Sequence, residues 1–369
     1  MTQQEPPPAH IRQRNYNRIF KQVLGIIVLL FVGWRLYTVL FVKANFGPET
    51  WTRLAISGLI IGGVYALIAI GYTLVYGILF MINFAHGEVM MIGAFSGYFI
   101  LEVLKNIKMP TAADPAMNFT NTYPFLTVLI VFVVGMGMSA TTGYFLEKIA
   151  YRPLRKAPRL VPLISAIGAS IFLQNAAQLM FSPQVRDYAN PDVIKRGLGW
   201  KFMMNGSSIL VPYTGVFTFV LSIVLLIALY TIVRKTRLGK AMRAVALDKK
   251  TAALMGIDVD AIISRTFIIS GALAGAAGAM WGFHNGLVYY YMGFLPGIKA
   301  FTAAVLGGIG NLPGAMLGGL LLGVIESIGP TALGINYQLK DVIAFLILIV
   351  ILIFRPSGLL GEVLSEEKV

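Results

Sequence analysis

The chain has 369 residues, 57% of them hydrophobic and 12% charged, with a mean hydropathy of +0.76. Soluble domains carry about 25% charged residues, so a soluble protein with a large buried core is excluded. The net charge of +14 lies between apolar runs and accompanies no nucleic-acid-binding motif, which points to membrane topology and away from DNA or RNA.

A membrane-spanning helix needs about 20 apolar residues, and the chain offers about ten candidate segments. The expected fold is therefore all-α, a polytopic transmembrane helical bundle. Residues 1–21 begin polar and proline-containing, then carry Arg12, Arg14, Arg18 and Lys21, and read as a cytoplasmic tail. The run 22–42 lacks a small-residue cleavage site and reads as an additional first span, not a signal peptide. Arg35 within it is expected to snorkel to the interface.

Further spans are expected over 54–80, 87–104, 124–146, 162–181, 213–233 and 262–283, with a last one over 339–354 and a cytoplasmic tail over 355–369. The interval 297–328 is too long for one span and is cut by Gly310-Asn311-Leu312-Pro313-Gly314. Turn chemistry of that kind breaks a helix, so two short helices meeting at a bend are expected. Glycines four apart, such as Gly58/Gly62 and Gly271/Gly275, place small residues on one helix face for close backbone approach.

Loops placed inside carry nineteen of the thirty Lys and Arg residues and loops placed outside carry nine. This bias puts both termini in the cytoplasm. Ser57-Gly58 and Ser270-Gly271 each open a small-residue-rich span leading to a break, with five spans between their starts. The expectation is an inverted repeat with broken helices near the midplane.

The stretch 82–96, INFAHGEVMMIGAFS, interrupts the apolar pattern. A carboxylate at the centre of a spanning helix costs about 2.5–3.5 kcal/mol on insertion scales, so Glu88 needs a partner, a water-filled path or the membrane surface. Asn83 and His86 share a helix face while Glu88 points away from it; a single site made of all three requires a break at Gly87. Substrate pathway and interfacial turn are both open for Asn83 and His86. Gln174 and Asn175, inside the 162–181 span, either hydrogen-bond between helices or line the path. Glu326 and Asp341 lie near span ends and read as interfacial, and Tyr289, Tyr290 and Tyr291 read as an outer aromatic belt.

The segment 234–265 is basic and helix-compatible across 240–255, with Ala241, Ala244, Val245, Ala252 and Met255 as a weak apolar stripe and Gly256 as terminator. It suits docking into a partner's groove, or contact with anionic headgroups. No G-x-x-x-x-G-K-[ST] occurs, so ATP use would require another chain. With no cysteine and three scattered histidines, neither a disulfide nor a metal site is expected.

Several long blocks resemble the permease subunits of branched-chain amino acid ABC transporters. They are GGVYALIAIGYTLVYGILFMINF at 62–84 with the following AHGE, RPLRKAPRLVPLISAIGASIFLQN at 152–175, GKAMRAVALDKKTAALMGID at 239–258, and KAFTAAVLGGIGNLPGAMLGGLLLGVIE at 299–326. Together they cover most of 54–361, and the permease domain is placed at 54–354. The resemblance implies an inner-membrane importer subunit for hydrophobic amino acids, with no cofactor of its own. It also implies cytoplasmic ATP-binding subunits, a second permease subunit forming a heterodimer, and an extracytoplasmic substrate-binding protein. Within the coupling loop, 234–262, it marks Gly239, Arg243, Ala244, Asp248 and Gly256 as ATPase-coupling residues. The extra first span lies outside it. A permease for urea or short amides and an ion-coupled secondary carrier are the competing readings; with no H-E-x-x-H or G-x-S-x-G, an intramembrane enzyme is not expected.

Overall fold

Apolar runs free of internal turn residues satisfy their backbone within themselves, as a membrane demands, and the described residues are accordingly mostly helical. The computed structural model describes residues 23–361 apart from 24, 28–29, 40–45, 111–116, 156, 159 and 205. The expected tail 1–21, the loop at 40–45 and the chain from 362 lie outside the described residues. Among the described residues, an apolar helical segment at Gly25–Tyr37 is followed by a one-turn helix at Phe119–Thr122 and by eleven longer α-helices. They are α1 (Pro48–Leu79), α2 (His86–Asn106), α3 (Pro124–Leu146), α4 (Leu160–Phe181), α5 (Tyr213–Lys235), α6 (Arg237–Leu247), α7 (Lys249–Leu254), α8 (Val259–Asn285), α9 (Phe294–Gly307), α10 (Leu312–Leu333) and α11 (Lys340–Phe354). Two antiparallel strand pairs, Arg186–Asp187 with Leu287–Val288 and Gly199–Met204 with Ser207–Pro212, complete it.

Eight of the described helices are long and apolar enough to cross a membrane. The fourteen-residue α9 is not: at 1.5 Å per residue it reaches about 21 Å, against a hydrocarbon core of about 30 Å. The break between α9 and α10 falls at Gly308 and Gly310, both at positive φ, and Asn311 caps α10 by accepting from the Gly314 N–H at 3.1 Å. The chain after α11 returns to this break, where the Leu359 and Leu360 N–H groups donate to the Leu306 and Gly307 carbonyls that end α9.

Glycine contacts set how the helices cross. A methyl group on Gly58 would lie 2.7 Å from the Val324 Cα, and one on Gly62 2.9 Å from the Leu320 Cα, so α1 and α10 run antiparallel in backbone contact. In the same way Gly143 of α3 abuts Phe267 of α8 while Gly271 abuts Ala140, again antiparallel. Two units therefore emerge, α1-α2-α3 and α8-α9-α10. Each starts with a long helix, doubles back, and continues as a helix that begins inside the bundle; each long helix packs on the third helix of the other unit. The first unit enters from the end of the molecule opposite to that from which the second enters, since α1 ends and α8 begins beside the basic α6–α7 segment. This is the arrangement of an inverted repeat.

The Arg35 guanidinium donates to the Leu333 carbonyl at 2.8 Å and the Gly334 carbonyl at 3.1 Å, covering the end of α10. Two expectations change. The basic loop is not one helix over 240–255. Asp248 is extended and divides it, and the buried positions are Gly239, Met242, Val245 and Ala252, with Met255 exposed. Glu326 is not interfacial: it is 3% exposed and its carboxylate accepts from Lys299 at 2.8 Å.

Candidate functional site

The site grows from the two doubled-back connections. Phe80 adopts a left-handed conformation at the end of α1, and Met81–Ala85 climbs back along α1 until α2 begins at His86. His86 nests over Gly71, where any side chain would meet its imidazole. Gly71 lies two turns before the end of α1, so α2 starts about 12 Å inside the bundle. From the other end, the turn after Gly286 leads to α9, capped by Gly293. The starts of α2 and α9 touch through glycine alone: a methyl on Gly297 would lie 3.0 Å from the Gly87 Cα. Two helix N-termini, each the positive end of a helix dipole, thus meet in the interior.

Around this junction the polar groups sort themselves. Asn83 is buried in the connection before α2, where its Oδ1 accepts from the Ala85 N–H at 3.1 Å and the Tyr151 hydroxyl at 2.8 Å. His86 packs edge-on against Tyr72 at 4.9 Å between ring centres and hydrogen-bonds the Ile68 backbone; its Nε2 has no partner. The Gly87 amide reaches the Tyr72 oxygen. Glu88, 1% exposed, points away from His86 toward α4. Its Oε1 accepts from Gln174 Nε2 at 2.6 Å and lies 3.4 Å from the Ser170 hydroxyl. Its Oε2 has no hydrogen-bond partner and faces Gly293, the cap of α9.

Glu88 and Gln174 are thus brought together and Asn83 and His86 are held apart from them. Asn175, on the exposed side of α4, donates to the Ile171 carbonyl of its own helix at 2.7 Å. Tyr72, Ser170 and Tyr151 joined the site unannounced, being one-hydroxyl residues with no spacing signal. The same is true of a second polar cluster, in which Lys299 of α9 reaches Glu326 at 2.8 Å and Asp341 at 2.5 Å, with Lys340 3.6 Å from Glu326. Its one legible sign was a lysine inside an apolar run.

At the basic end, each residue marked in the loop has a local structural role. Gly239 presses against the Ile232 and Val233 carbonyls, leaving no room for a Cβ in the tight α5–α6 turn. Arg243 donates to the Val233 carbonyl, and so caps α5. The Ala244 carbonyl receives the Asp248 N–H. Asp248 caps α7, accepting from Thr251 Oγ1 and from the Lys250 N–H, and these bonds hold its carboxyl below the usual carboxylate value. Gly256 takes φ +80° and ends the segment. Burial, with Arg155 nearby, lowers the Lys249 amine. Among its exposed, mostly basic and polar positions the segment also presents three large apolar side chains: Leu247, Leu254 at 87% exposure and Met255 at 78%. Beneath it, a cavity of about 400 Å³ is lined by Tyr76, Phe80, Tyr230, Arg243 and Asn311, joining the ends of α1 and α5 to the α9–α10 break.

Comparison with known proteins adds the following. Residues 54–352 match the family described as branched-chain amino acid transport system, permease component. The chain is 46% identical to the high-affinity branched-chain amino acid transport system permease protein BraD of Pseudomonas aeruginosa, over 85% of this chain and 98% of that protein. It is 42% identical to the corresponding permease protein LivH of Escherichia coli, over 83% of this chain and 94% of that protein. No solved structure matches.

Proposed function

This chain belongs to the permease-component family of branched-chain amino acid transport systems, and from that premise we propose that it is the membrane subunit of an ATP-driven importer. It admits branched-chain or other neutral amino acids to the cytoplasm. ATP hydrolysis takes place on cytoplasmic partner chains, a second permease subunit pairs with this one, and an extracytoplasmic binding protein delivers the substrate. The chain lies in the bacterial inner membrane with α6 and α7 on the cytoplasmic side and both termini there.

The observation that carries this reading is the outward face of α6–α7. Elsewhere, most exposed apolar side chains lie on helices apolar enough to cross a membrane, and others, such as Trp200, Phe202 and Met203, lie on the 199–212 hairpin. Leu247, Leu254 and Met255 instead project from a segment whose neighbours are Arg237, Lys240, Lys249 and Lys250, too basic for hydrocarbon. An exposed apolar knob with a basic surround is what a groove on a partner takes up. The knob is stiffly tied to the bundle, because Gly239 and Arg243 clamp α6 to the end of α5. Motion of a bound ATPase would reach the α9–α10 break across the cavity beneath.

The double substitution Leu254→Glu with Met255→Glu tests it. We expect loss of ATPase co-purification and at least a tenfold fall in leucine uptake, with membrane insertion unchanged. Retained co-purification and uptake would overturn the docking assignment. Accumulation of leucine by the isolated chain in liposomes under an ion gradient would overturn the importer reading itself.

A further inference from the structure

Among the described residues the buried ionisable groups of the bundle are balanced, with one exception. Glu147 pairs with Arg155 and accepts from the Ser264 hydroxyl at 2.7 Å. Lys299 pairs with Glu326 and Asp341, and Lys340 stands beside Glu326. Glu88 has no cation at all: its Oε1 is held by two neutral donors and its Oε2 by none. The inverted repeat sharpens the contrast. Phe84-Ala85-His86-Gly87-Glu88 in the first unit parallels Phe294-Leu295-Pro296-Gly297-Ile298 in the second, followed one residue on by Lys299. Each half-helix therefore brings one ionisable side chain to the helix that follows its own unit, Glu88 to α4 and Lys299 to α11. Lys299 is paired twice over, and Glu88 is left without a cation.

We propose that Glu88 is the transient counter-ion for the α-ammonium group of the transported amino acid, whose carboxylate turns toward the positive dipole ends of α2 and α9 at their junction. The assignment rests on the importer reading given above. Its chemistry follows from the two kinds of charge at the junction: an unpartnered carboxylate oxygen, buried and facing the cap of α9, beside helix N-termini that favour an anion. A zwitterion answers both, and a free acid or a cation alone answers one. Tyr72, Phe301 and Phe84 pack in a chain next to the junction and supply apolar surface for the side chain. The junction is closed in this structure, with Gly87 and Gly297 in contact, so the substrate meets Glu88 when α2 and α9 separate.

A plain anchor for α4 would also explain the bond from Gln174, and the test separates the two roles. Glu88→Gln keeps an oxygen acceptor for Gln174 and Ser170 and removes only the charge. The complete transporter, with ATPases and binding protein in proteoliposomes, is assayed with radiolabelled leucine. A contact to a charged group is worth about ten- to a hundredfold, so we expect uptake to fall by that factor while assembly and basal ATP hydrolysis stay. Restoring the carboxylate from the other side, as Glu88→Gln with Gln174→Glu, should recover a substantial part. Wild-type uptake in Glu88→Gln overturns the counter-ion role, as does a swapped variant that assembles and transports no better than the single one. If Glu88→Gln fails to assemble, the swapped variant alone decides. Failure of the wild-type assembly to import leucine would instead strike at the importer reading.

Discussion

Glycine decides the packing residue by residue, because helices in lipid gain little from apolar burial against each other and rely on close contact. Gly278 of α8 faces the backbone of α2, where a methyl group would lie 2.9 Å from the Ala94 nitrogen and closer still to the Met90 carbonyl oxygen. No flexible side chain can give way there. Gly278→Ala is therefore expected to cost about 1–3 kcal/mol through overpacking, read as a lowered melting temperature in detergent. Gly137 of α3 has nothing within 4 Å of the same hypothetical methyl. Gly137→Ala gains helix propensity worth up to about 1 kcal/mol and should melt no lower than the wild type. Equal losses for the two would remove close packing as the explanation. Both glycines look alike in sequence, since each stands in a small-residue helix; only the neighbouring backbone tells them apart.

Among elements, the division between α6 and α7 has the clearest internal cause. Asp248 turns the chain because its carboxylate caps α7 through Thr251 and Lys250. Asn caps as well as Asp, and Ala does not. Asp248→Ala should fray α7, open the Met255–Gly256 region to protease, and reduce uptake, while Asp248→Asn should behave as wild type in both assays. Its depressed carboxyl value sets the pH behaviour: the cap is complete above the ordinary carboxylate range and lost only as pH falls through the lowered value, so coupling should be flat from pH 6 to pH 8 on its account. This division was hidden in the sequence, because every residue across 240–255 tolerates a helix and the capping pattern D-x-x-T was outweighed by helix propensity. The α9–α10 break was legible, since Gly310-Asn311-Leu312-Pro313 has no helical alternative. Existence and type of the long helices were equally legible from apolar run length. What could not be read were partnerships between distant residues: Glu88 finds Gln174 across 86 positions, and Lys299 finds Glu326 across 27. Periodicity along a chain carries no information about which helices will adjoin.

At the level of the whole molecule, the repeat is symmetric in path and asymmetric in charge. The exchange of third helices, α10 onto α1 and α3 onto α8, ties the two units together, so neither half can close its own interior alone. Yet α9 is pinned by the Lys299 cluster to α10 and α11, whereas α2 meets α4 through neutral donors and the single carboxylate of Glu88. A bundle built this way holds one half-helix by a buried cluster of charged groups and the other by close glycine packing against α3 and α8. The pin can be tested for stability apart from transport. Lys299 is 5% exposed, and removing it leaves the buried Glu326 carboxylate with Lys340 as its remaining cation, 3.6 Å away. Lys299→Met should therefore destabilise the protein by about 3–5 kcal/mol, while Lys299→Met with Glu326→Leu, which removes both members, should restore most of the loss. Thermal unfolding of the purified chain in detergent measures both. If the double variant is as unstable as the single one, the cluster contributes more than its charge balance, and Asp341 and Lys340 would then hold α11 in place on their own.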